Sequence, residues 1–96
     1  MTNLRKLAKG QQCQIRIPGF CTWIDEESVL CHLNGAGLGI KENNLIGAWG
    51  CSVCHSIVDR RMYISEFSDE EIEIMFYEGI FRTQRELIAM GIIETG

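Results

Sequence analysis

Apolar and polar positions divide the chain into stretches of different period. Residues 1–12 are polar and basic overall and read as a polar arm or short helix carrying Arg5, Lys6 and Lys9. Residues 28–33 form a short β-type run. A loop with glycines at 35, 37 and 39 follows, then Asn43 and Asn44, then a second apolar run over 45–49. Two such runs joined by a glycine-rich loop predict a hairpin. From Cys51 the period becomes helical: Cys54, Ile57 and Val58 share a face to about Arg61, while Asp59, Arg60 and Arg61 are polar. Ser68 then opens a Ser-x-x-Glu capping box ahead of Ile72, Met75, Phe76, Ile80, Leu87 and Ile88. Gly79 is expected to break or kink this helix, and Gly91 to cap its end.

The pattern predicts a single α+β domain with a basic arm over 1–12, a core over 13–61 and an acidic helical extension over 62–96. At 96 residues the chain buries little apolar surface, and domains of this size commonly rely on a staple. Five cysteines supply the material for one. No residues at the start combine a basic region, an apolar stretch and a small-residue cleavage site, so the expectation is a reduced, cytoplasmic protein. There Cys51-Ser52-Val53-Cys54 reads as a metal knuckle. Cys13 and Cys21 flank Pro18-Gly19, a turn signal that folds the two thiols toward each other. Two pairs on two segments meet the four-coordinate demand of structural zinc, which assigns Cys13, Cys21, Cys51 and Cys54 as its ligands. Competing readings are ordinary buried cysteines, a redox Cys-x-x-Cys, and His55 replacing one of the more distant thiolates. No apolar run approaches the roughly 20 residues of a membrane span.

A second constellation lies in the order His32, Asn44, His55. Together with the glycine-rich loop and Cys51-x-x-Cys54-His55, it resembles the HNH motif of the ββα-metal, or His-Me finger, nucleases. The whole chain resembles the YbcO-like nucleases of lambdoid phages and prophages. The motif covers about residues 13–61. The resemblance implies metal-dependent hydrolysis of DNA phosphodiester bonds, in phage recombination or other DNA processing. It implies that His32 activates the attacking water, that Asn44 orients His32 with Asn43 as the fallback, and that His55 holds a catalytic divalent ion (Mg, Mn, Ni or Zn). A neutral imidazole is a suitable base near neutral pH. Asp59 lies four residues after His55, so one helix face would carry both as ligands of that ion. Arg60 and Arg61 follow as phosphate-binding candidates. Cys31 departs from the family pattern, which often has Asp or His just before the base. Strand alternation points Cys31 away from His32 and into the interior.

Charge refines this picture. The chain carries a formal −4, yet residues 1–61 hold seven lysines and arginines against five acids, and the remainder two against eight. A basic N-terminal module can face a phosphate backbone, and the acidic helix can serve as a protein-docking surface. Asp69 to Glu73 read as a solvated face that suits the helix N-terminus. Trp23, Trp49, Phe20 and Met62 read as core around the zinc. The alternative function is a non-catalytic zinc module that binds nucleic acid or a protein partner; such a module has no need of His32.

Overall fold

The computed structural model describes residues 3–35, 40–41 and 43–93. Gly37 and Gly39 of the expected loop lie outside the described residues. The arm contains a short helix, α1 (Leu4–Leu7), capped by Asn3, whose side-chain oxygen accepts from the N–H groups of Arg5 and Lys6. After a 3-10 turn at Asp25–Glu27 the expected hairpin forms from β1 (Val29–His32) and β4 (Gly47–Gly50). They run antiparallel with Val29 opposite Gly50, Leu30 opposite Trp49, Cys31 opposite Ala48 and His32 opposite Gly47. Two short strands in the connection, β2 (Asn34–Gly35) and β3 (Ile40–Lys41), pair as a separate ribbon.

Alternation along this two-stranded ribbon separates two apolar clusters. One contains Cys31 and Ala48 together with Cys13, Ile15, Ile17, Cys51, Cys54, Ile57, Ile72, Phe76 and Ile80. The other gathers Trp49, Ala8 and Leu87, with Leu4, Leu7 and Leu30 packed against them. Trp49 is thus core, but away from the cysteines. Its strand has its outer edge covered: the N–H of Gln14 donates to the Trp49 carbonyl at 2.7 Å, and the Trp49 N–H donates to Thr83 Oγ1 at 3.1 Å. An unpaired buried strand edge would be costly, and these two bonds remove that cost.

Helix α2 (Ser52–Val58) begins where expected, with Cys51 as its N-cap. It ends earlier than the sequence suggests. Asp59 is the C-cap, and Arg60 adopts φ of +62°, a left-handed conformation without a glycine to signal it. The N–H groups of Arg60 and Arg61 return to the carbonyls of Ile57 and Ser56, which closes the helix and reverses the chain.

Helix α3 (Asp69–Ala89) carries the full capping box between Ser68 and Glu71. Gly79 does not break it. A β-carbon there would lie 3.0 Å from Ile15 Cα and 3.1 Å from the Gln14 carbonyl oxygen, so the glycine is where α3 meets the backbone beside Cys13. Tertiary approach outweighs the roughly 1 kcal/mol helix penalty of glycine. Gly91, with φ of +76°, closes the helix as expected: its N–H bonds the Ile88 carbonyl, and the Ile92 N–H bonds that of Leu87. Among the described residues, no helix is long and apolar enough to cross a membrane.

Candidate functional site

Backbone turns bring four cysteines together. The chain folds back between Ile17 and Cys21, where the Ile17 carbonyl accepts from the N–H groups of Phe20 and Cys21. Arg16 braces this loop, with its Nε donating to the Cys13 carbonyl and its guanidinium carbon 5.8 Å from the centre of the Trp23 ring. The loop faces the start of α2, and the Sγ atoms of Cys13, Cys21, Cys51 and Cys54 all lie within 4.8 Å of one another. Tetrahedral zinc with bonds near 2.3 Å requires sulfurs about 3.8 Å apart. Cys21 and Cys51 stand at 3.9 Å, so the group fits such an ion with little contraction. Among the described residues this is the only group of three or more metal-ligating side chains, and it includes neither His55 nor Cys31.

The sulfurs sit in unequal surroundings. A hydrogen bond from the Cys54 thiol, outweighing burial, brings Cys13 down to about 5. Burial works upward on Cys51 but is outweighed by the N–H groups of Cys54 and Thr22, and its pKa falls. Cys54 is raised by its hydrogen bond to Cys13 and by burial, and burial lifts Cys21 to about 12. Two groups therefore favour the thiolate and two the thiol. A divalent cation is the agent that would draw off the remaining protons. Cys31 is fully buried, its thiol pushed well up by desolvation, in line with its place on the inner face of β1.

The histidines lie on another surface. His32 at the end of β1 and His55 on α2 line one cleft of about 270 Å³, together with Arg5, Val29 and Leu30. His32 Nε2 is 2.5 Å from Asn44 Oδ1. Asn43 instead accepts from the Leu45 N–H at 2.9 Å, a turn contact. Of the two asparagines, Asn44 is therefore the one that touches the imidazole. With the amide oxygen as acceptor, this contact suits the neutral tautomer that carries its proton on Nε2 and a lone pair on Nδ1.

The reversal at Arg60 carries Arg61 back over α2. Its Nη2 lies 3.1 Å from His55 Nδ1, and its Nε 3.1 Å from Asp59 Oδ2. A guanidinium thus contacts both His55 and Asp59, the two residues whose spacing predicts one helix face. Arg60 points elsewhere: it pairs with Asp69 at 2.8 Å and lines a cavity of about 410 Å³ with Ile57, Met62, Tyr63, Ile64 and Ile72. The expectation of core around the zinc needs correction for three residues: Trp49 is buried in the other apolar cluster, and Trp23 and Met62 are exposed at the surface, Trp23 lying against Arg16 rather than in the core. Phe20 does pack against the cysteine cluster. Arg5 is the lining residue that sequence reasoning did not place in the cleft. Its only signal was charge in the arm.

Comparison with known proteins bears on this architecture. The family described as "Putative nuclease YbcO" matches residues 2–92. Two relatives with that description, from Escherichia coli (strain K12) and Enterobacteria phage 82, are each 39% identical over 97 residues, spanning 98% of this chain and 99% of theirs. A solved structure described as a putative bacteriophage protein from Escherichia coli str. K-12 substr. MG1655 superposes with a TM-score of 0.79 at 36% identity, covering 93% of this chain and all of that one. With matches of this breadth and identity, the chain belongs to the family described as "Putative nuclease YbcO".

Proposed function

We propose that this chain is a metal-dependent endonuclease of the ββα-metal, HNH type that hydrolyses DNA phosphodiester bonds. Zinc on Cys13, Cys21, Cys51 and Cys54 holds the fold, and His32 is the general base. The observation that carries the reading is the His32–Asn44 contact, with His32 lining a cleft that His55 and Arg5 share. Asn44 fixes the ring and its tautomer. Nδ1 of His32 then takes a proton from water as the water oxygen bonds to phosphorus and the bond from phosphorus to the leaving oxygen breaks.

His55 and Asp59 are the residues that would hold a divalent cation, which would offset charge on the phosphate and assist the leaving oxygen. With two protein ligands, that ion would complete its shell from water and phosphate. Arg61 must release both side chains to admit it, and a freed guanidinium is then placed to bind a phosphate oxygen. Arg5 is the second such group. Arg60, held by Asp69, contributes charge at a distance. The phage and bacterial origins of the relatives support a role in phage DNA processing.

Plasmid nicking across Mg, Mn, Ni and Zn tests the metal assignment. Wild type is expected to nick only with an added divalent ion. His55→Ala and Asp59→Ala are expected to require higher metal concentration and to recover part of the rate there. Nicking that is unaffected by these changes, or that persists in chelator with zinc retained, contradicts the assignment.

A further inference from the structure

Helix α3 has two apolar faces. One, formed by Ile72, Phe76, Gly79, Ile80, Thr83 and Leu87, is buried against the rest of the domain. At about 100° per residue, Ile74, Tyr77, Phe81 and Ile88 fall on the opposite side. Ile74 is 57% exposed, Phe81 59% and Ile88 43%. Single exposed apolar residues are ordinary on a protein surface, whereas a continuous stripe on one helix marks a contact surface. This stripe runs about 21 Å along the helix.

Its spacing and charge select the occupant. Ile74 and Ile88 each lie seven residues from Phe81. A second copy of α3 packed antiparallel, with the two Phe81 side chains at the twofold axis, sets Ile74 of each copy against Ile88 of the other. Glu78 and Arg85 flank the stripe on the same side, and the same rotation brings Glu78 of one copy beside Arg85 of its partner, twice. More broadly, the helix carries Asp69, Glu70, Glu71, Glu73 and Glu78 before Phe81, and Arg82, Arg85 and Glu86 after it. Antiparallel pairing opposes these unlike halves, while parallel pairing stacks the acidic half on itself.

We propose that α3 is the interface of an isologous, antiparallel homodimer centred on Phe81. None of the cleft residues Arg5, Val29, Leu30, His32 and His55 belongs to α3. The proposal does not depend on the nuclease reading.

Sedimentation velocity of the zinc-loaded protein over micromolar to millimolar concentration tests it. Wild type is expected to approach twice its 10.9 kDa mass as concentration rises. Phe81→Arg, an exposed substitution, is expected to remain monomeric with unchanged thermal stability at low concentration. Glu78→Arg and Arg85→Glu are each expected to weaken the dimer by about tenfold, and the double substitution to restore it. These residues are seven apart and cannot pair within one helix, so restoration reports contact between copies. A wild type that stays monomeric to millimolar concentration overturns the proposal, as does a dimer that persists in Phe81→Arg. Single charge reversals with no effect, or a double substitution weaker than either single one, overturn the antiparallel register.

Discussion

The cysteine cluster and the histidine cleft use the same hairpin and helix but are built in contrasting ways. Cys13, Cys51 and Cys54 are buried among apolar side chains from both halves of the chain, Cys21 is half-buried against them, and backbone N–H groups point at Cys51. His32 ends its strand and His55 lies midway along α2; both are half-buried, line an open cleft and are contacted by side chains. One arrangement serves cohesion, and the other lines a cleft with polar groups. Damage to the first should therefore abolish the fold, and damage to the second should abolish only the reaction.

Removing the metal is the strongest way to test this contrast. Structural zinc in small domains contributes about 10–16 kcal/mol of apparent binding free energy, which is folding free energy. The purified, reduced protein is expected to contain one zinc per chain by elemental analysis, and to lose its near-UV dichroism when the metal is chelated. Serine at Cys13, Cys21, Cys51 or Cys54 should lower zinc retention. Cys31→Ser should keep the metal, because that sulfur belongs to the strand interior.

Smaller effects arise where α3 meets the cysteine scaffold. Gly79→Val would force side-chain atoms into the Gln14–Ile15 backbone and is expected to cost about 1–3 kcal/mol by denaturant unfolding. Thr83→Val leaves the Trp49 N–H without its acceptor and should cost about the same. For both, nicking per folded molecule should equal that of wild type. A fall in that ratio would mean that scaffold and cleft are coupled.

The smallest change is expected from Arg60→Gly. Glycine relieves a left-handed conformation that costs other residues about 1–2 kcal/mol, and the exposed Arg60–Asp69 pair it removes contributes about 0–1 kcal/mol. Unfolding should move by about 0–2 kcal/mol toward stability, and nicking should hold. A large loss of nicking would return Arg60 to the phosphate site.

These contrasts bear on what a sequence displays. The hairpin, the start of α2, the Ser68 capping box and the meeting of the four cysteines were legible because each rests on local spacing or turn chemistry. His32 and Asn44 were legible as members of a motif, and their contact required only that the hairpin form. The early end of α2 was not, because Arg60 takes a left-handed conformation that residues such as glycine normally announce. Gly79 misled for the opposite reason: its local preference is to weaken a helix, and its actual role is set by a backbone distant in sequence. Trp23 and Met62 were expected inside on hydrophobicity alone, which does not specify direction. Arg5 reaches the cleft only through packing of α1 on β1, for which the signal was the short apolar spacing of Leu4, Leu7 and Ala8, passed over in a stretch read as polar.

The central claim is that His32 is the base, and the rate of plasmid nicking by His32→Ala at zinc content and thermal stability matched to wild type tests it most directly. The account predicts a loss of about 100-fold to 10,000-fold with DNA binding retained and no recovery at higher divalent-metal concentration. Nicking by His32→Ala at the wild-type rate, with contaminating nucleases excluded, would contradict it and leave a zinc module that binds without cutting.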